Sequence, residues 1–108
     1  MERAIGNLSQ IPQGEGRNFE IGGVRVAVFH TRDGRVFATQ ADCPHKGGPL
    51  ADGLTDFTTV TCPLHDRIYD FRTGAGPDCS IQVYPVRADA AGTILIVAEP
   101  VGSEMASA

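Results

Sequence analysis

The apolar residues of this chain fall in short runs, several rich in β-branched side chains, with glycine, proline and aspartate between them. "VRVAVFHT" (24–31) and "RVFATQ" (35–40) are two such runs, and the Asp33-Gly34 pair between them is a strong hairpin signal. Ahead of them, "NFEIGG" (18–23) reads as a short strand ending in a glycine turn, and "ERAIGNL" (2–8) as an N-terminal edge strand. Downstream, "TTVTC" (58–62) and "RIYDF" (67–71) form a second hairpin. "SIQVYPV" (80–86) and "TILIVA" (93–98) complete the set, separated by "RADAAG". No stretch holds helical periodicity beyond two turns. Seven or eight short strands at close spacing predict an all-β fold, a small antiparallel sandwich or barrel.

Length adds a limit. At 108 residues the chain is expected to form a single domain over residues 1–98, with a loosely held tail over 99–108. A chain of that size has one modest core and no room for separate cofactor and substrate domains. The 42% hydrophobic content is that of a globular protein, and 13 glycines with 7 prolines fit a turn-rich fold. The N-terminal stretch has no apolar h-region, and the runs "VAVF" and "ILIVA" are too short to cross a bilayer, so a cytoplasmic location is expected. A net charge of −4 argues against nucleic acid or an anionic membrane as partner, and leaves room for a basic docking surface on a partner protein.

The candidate chemistry sits in two loops. "CPHKGGPL" (43–50) carries Cys43 and His45, and "CPLH" (62–65) carries Cys62 and His65 at the tip of the second predicted hairpin. Three cysteines suit a disulfide scaffold poorly, and in a reducing compartment a paired Cys/His arrangement points to metal. Two cysteines and two histidines could hold zinc tetrahedrally, but zinc fingers usually take both cysteines from one loop and both histidines from another. Here each loop offers one of each. That alternation suits a two-metal cluster in which each loop gives its cysteine to one iron and its histidine to the other, the ligand set of a Rieske [2Fe–2S] centre.

Charge arithmetic states what such a set achieves. An oxidised [2Fe–2S] core of charge about +2 is neutralised by two thiolates and two neutral imidazoles, whereas four thiolates leave it at about −2. An electron enters a neutral site more easily, which is one reason that histidine ligation raises the potential to roughly −150 to +300 mV. Bridging sulfides accept hydrogen bonds, and backbone N–H groups reach them where side chains do not intervene, a use for Gly47 and Gly48. Pro44 and Pro63 stiffen the loops, and "TGAGPD" (73–78), with Gly74, Gly76 and Pro77, could cover the cluster from another side or be ordinary turn chemistry.

"CPHKGGPLADG" and "CPLHDRIYDFRTG", with "AGPD" and "YPV" behind them, resemble the Rieske ferredoxin family, over a layout running from about Ile5 to Ala98. Within it the chain is most similar to the small subunit of assimilatory NAD(P)H nitrite reductase, and next to the ferredoxin components of aromatic ring-hydroxylating dioxygenases. The resemblance implies three antiparallel sheets, with Cys43 and Cys62 on a buried iron and His45 and His65 on an outer one. It also implies one-electron transfer to or from a reductase or terminal oxidoreductase, with no substrate chemistry in the chain itself. High-potential members carry an extra disulfide between the loops, at positions that are Gly48 and Leu64 here. Their cluster-donating serine is Arg67 here, while Tyr69 matches an aromatic of that loop, so the lower-potential soluble type is expected. Many nitrite reductase small subunits have a tryptophan at the Arg67 position, and this chain has none.

The remaining candidates have plain readings. Cys79 is expected to be a small buried or semi-buried residue rather than a ligand. His30 shares strand parity with Val24, Val26 and Val28, as a packed or strand-end histidine would. Asp66, Arg67, Asp42 and Asp70 are solvated loop charges by default, though Asp66 and Arg67 flank His65 and could tune it or meet a partner. A non-redox module, in which zinc or a cluster only keeps the loops folded, is the alternative from another class.

Overall fold

The computed structural model describes residues 2–44, 49–63, 67–77 and 80–97. Its strands are β1 (Glu2–Asn7), β2 (Glu15–Ile21), β3 (Val24–His30), β4 (Val36–Gln40), β5 (Leu54–Thr55), β6 (Thr59–Thr61), β7 (Ile68–Asp70), β8 (Val83–Tyr84), β9 (Val86–Ala88) and β10 (Thr93–Val97). Short 3₁₀ turns at Leu8–Gln10 and Leu50–Asp52 join them. The strands form three antiparallel sheets, ordered β1-β10-β9, β2-β3-β4-β8 and β5-β6-β7, as the family resemblance implied.

Strand β3 shows how one run of sequence builds two cores. Side chains alternate between the faces of a strand. Val26 and Val28 face one buried cluster, with Ile11, Ile21, Ala38, Tyr84, Ile94 and Ile96. Ala27 and Phe29 face the other, with Cys43, Leu50, Val60, Cys62, Tyr69 and Phe71. The four-stranded sheet is therefore a middle layer, buried on both sides. This is why "VAVF" reads as a continuous apolar run rather than an alternating one.

The predicted hairpins form. In the first, Thr31 N donates to Arg35 O at 2.8 Å and Gly34 N to Thr31 O at 3.0 Å. Gly34 takes φ +86° there, in the left-handed region. Thr59–Thr61 and Ile68–Asp70 make the second hairpin, with Val60 opposite Tyr69. The run "SIQVYPV" needs correction. It is not one strand, because Pro85 has no N–H to extend a ladder. The chain instead changes sheet at that residue, with β8 pairing β4 and β9 pairing β10. Strand β9 also takes Arg87 and Ala88 from the segment expected to be a connection. The two-residue β5 has no counterpart in the sequence reading. No helix among the described residues is long and apolar enough to cross a membrane. The expected tail over 99–108 lies outside the described residues.

Candidate metal centre

Cys43 and Cys62 each stand where a strand gives way to a loop, and hydrogen bonds close each loop at its base. After β4, Leu50 N donates to Ala41 O at 3.0 Å and Asp42 bridges to Pro49, so residues 42 and 49 are held side by side with Cys43 just inside. Fully buried Leu50 anchors the returning chain. After β6, Cys62 N donates to Arg67 O at 2.7 Å, and the chain re-enters the sheet at Ile68. A third loop is built the same way: Ala75 bridges to Ser80, and Ile81 N donates to Gly74 O at 2.8 Å.

Gly74 is required by that third closure. Its φ is +82°, and a Cβ there would collide with Ile81 O. This resolves part of the reading of "TGAGPD", since Gly74 serves the backbone approach of residues 80–81. Pro77 is exposed in the bend of the same loop.

The two cysteines are 2% and 0% exposed and belong to one buried cluster. Neither is in a disulfide. Tyr69, itself fully buried on β7, brings its hydroxyl to 3.3 Å from Cys43 Sγ. A phenol O–H at that distance can donate to a thiolate. Two buried soft donors in a shared apolar cluster, at the heads of two closed loops, fit an iron–sulfur or zinc centre. His45, His65, Gly47 and Gly48 lie outside the described residues, as do Leu64, Asp66 and Cys79.

The other candidates take ordinary places. His30 ends β3, half-buried, with Nδ1 2.8 Å from Ile11 O, as a strand-end histidine should. Asp42 is 3.4 Å from Arg25 in an exposed ion pair. Asp70 accepts from Arg72 N at 2.7 Å and from Arg72 Nη2 at 2.9 Å, and these hydrogen bonds hold its carboxyl below the usual range. The sequence reading missed the outer face of β5-β6-β7, where Leu54 and Ile68 point outward at 79% and 53% exposure. The signal was available: strand alternation from buried Tyr69 puts Ile68 outside.

Comparison with known proteins agrees with this geometry. Residues 2–85 match the Rieske [2Fe–2S] domain. The chain is 33% identical over 88 residues to the anthranilate 1,2-dioxygenase ferredoxin subunit of Burkholderia cepacia, covering 77% of this chain and 80% of that one. Among solved structures, the ferredoxin of carbazole 1,9a-dioxygenase from Nocardioides aromaticivorans IC177 superposes with a TM-score of 0.78 at 28% identity, over 92% of this chain and 99% of that one. The chain assigned as the NADH-dependent nitrite reductase small subunit of Mycobacterium tuberculosis gives 0.81 at 24% identity, over 92% and 97%, a likeness of fold.

Proposed function

This chain belongs to the Rieske [2Fe–2S] domain family, and from that premise we propose that it delivers single electrons to the terminal oxygenase of a ring-hydroxylating dioxygenase system. The cofactor is a Rieske-type [2Fe–2S] cluster, and the activity is electron transfer of the ferredoxin type. When bound, such a cluster takes up and releases one electron. Cys43 and Cys62 are the proposed thiolate ligands of the inner iron, and His45 and His65 the imidazole ligands of the outer one. Gly47, Gly48 and Pro77 are proposed to line the cluster, and Tyr69 to donate a hydrogen bond to the Cys43 thiolate. The apolar cluster around the cysteines keeps water from the two sulfurs.

The observation that carries the choice of partner is the 33% identity to a dioxygenase ferredoxin subunit over 77% of the chain. A second reading, small subunit of an NAD(P)H nitrite reductase, is favoured by "CPHKGGPLADG" together with "CPLHD", "GPDC" and "YPV". Anaerobic stopped-flow mixing separates them. The dithionite-reduced protein is mixed with an oxidised Rieske-type terminal oxygenase, and separately with a sirohaem nitrite reductase. The dioxygenase reading expects reoxidation by the oxygenase to be at least about tenfold faster; the reverse order would assign the chain to nitrite reduction.

A further inference from the structure

Strand β4 ends in an irregularity that bears on the centre. Its register with β8 pairs Ala38 with Tyr84 and Thr39 with Val83, which puts Gln40 opposite Gln82. A hydrogen-bonded pair in an antiparallel ladder exchanges two backbone bonds. Here one of them forms, with Gln40 N donating to Gln82 O at 2.9 Å. Gln82 N donates instead to the Gln40 side chain, reaching Oε1 at 2.8 Å, while Gln40 O accepts from the Thr39 hydroxyl at 2.8 Å. The other end of the same carboxamide, Nε2, donates to Asp42 O at 2.6 Å. The two partners fix which way the amide points, because an N–H needs its oxygen and a carbonyl needs its NH₂.

Each end of this half-buried carboxamide holds a different loop. Asp42 O belongs to the peptide unit that carries Cys43 N, so the Nε2 bond fixes the plane from which buried Cys43 projects. Gln82 N shares its peptide unit with Ile81 O, the atom whose close approach requires Gly74, and Ile81 N closes the third loop on Gly74 O at 2.8 Å. Ile81 and Cys43 lie in the same buried cluster. The Asp42 carboxylate takes no part in the tie, since it faces Arg25 at 3.4 Å. The Asp42–Pro49 bridge and the Leu50 N bond close the Cys43 loop on itself, whereas Gln40 fastens it to a second loop.

We propose that Gln40 is a positioning residue for the [2Fe–2S] centre: its carboxamide locks the Cys43 loop to the 74–81 loop and so holds the Cys43 thiolate in place for iron. The assignment rests on the carrier reading above. The test follows iron release to excess EDTA by loss of visible absorbance, the EPR spectrum of the dithionite-reduced protein, and hydrogen exchange at the Gln82 amide. Gln40→Met keeps the length of the side chain and loses both bonds. Gln40→Glu keeps an oxygen for Gln82 N but sets another against Asp42 O. Both are expected to release iron about tenfold faster than wild type, with altered g values, whereas exchange at Gln82 should rise about tenfold in Gln40→Met alone. Asn7→Ala is the control, because it removes a carboxamide outside these loops that likewise accepts once, from Ser9 N at 3.0 Å, and donates once, to Ala91 O at 3.1 Å. Its release rate and g values should stay those of wild type. Wild-type release or g values in Gln40→Met overturn the proposal, as does Asn7→Ala releasing iron equally fast. Wild-type release in Gln40→Glu also overturns it, since the Asp42 bond would then hold nothing. Wild-type protein without a Rieske signal overturns the carrier reading instead, and exchange at Gln82 still reports whether Gln40 makes the tie.

Discussion

Tyr69 is the residue through which the fold reaches the centre most directly. Its ring fills the core at 0% exposure, and its hydroxyl lies 3.3 Å from Cys43 Sγ. If Cys43 holds iron as proposed, a donor to its thiolate would draw electron density from the sulfur and favour the reduced centre. Tyr69→Phe keeps the ring and deletes the donor, so the reduction potential should drop. A hydrogen bond worth about 1 kcal/mol in the difference between redox states corresponds to roughly 40 mV for one electron. Spectroelectrochemical titration of both proteins checks this, and equal potentials would show that the hydroxyl does not act on the sulfur. Gly74 is constrained in a different way, through the backbone. Gly74→Ala meets both a left-handed φ and the Ile81 carbonyl, whereas Gly34, at φ +86°, has open space where its Cβ would be. Gly34→Ala should cost about 1 kcal/mol, and Gly74→Ala at least about 2 kcal/mol more. Thermal melts of the two variants give the comparison, and equal losses would mean that the 74–81 approach relaxes freely.

At the scale of elements, strands were legible where alternation or β-branched runs coincided with turn chemistry. The Asp33-Gly34 hairpin and the Thr59–Thr61/Ile68–Asp70 hairpin are of this kind. Pro85 was visible in the sequence, but its consequence was not, since a proline inside an apolar run does not say which sheet each half joins. Strand β5 escaped because two residues carry no periodicity. Its pairing with β6 is set by a close backbone approach at Gly53, where an added Cβ would collide with Thr61 O. Hydrogen bonding from Arg72 lowers the Asp70 pKa, hydrogen bonding from Thr31 and then Arg35 lowers that of Asp33, and Arg87 does the same for Glu2. A depressed folded-state pKa contributes stability that is present above the ordinary carboxylate pKa and is lost as pH falls through the lowered value. Melting temperature should therefore be level above about pH 5 and fall below about pH 4. Asp70→Asn should start lower and fall less steeply over that range, and an unchanged slope would remove Asp70 from the effect.

For the whole molecule, the layering explains why the candidate cysteines Cys43 and Cys62 stood out in the sequence more plainly than the layers themselves. Cys43 and Cys62 sit in motifs whose spacing is chemical, whereas assigning Val26 and Phe29 to opposite faces needs the three-dimensional pairing of sheets. The two cysteines meet in one buried cluster because β4 and β6 both end beside it, and the Asp42–Pro49 bridge and the Cys62–Arg67 hydrogen bond close their loops there. All of this depends on what the two loops hold. The most direct test is an EPR spectrum of the dithionite-reduced protein, purified without added metal, with iron, sulfide and zinc measured on the same sample. A Rieske-type signal with two irons and two sulfides per chain is the result expected. Zinc in place of iron, with no signal, would contradict the account.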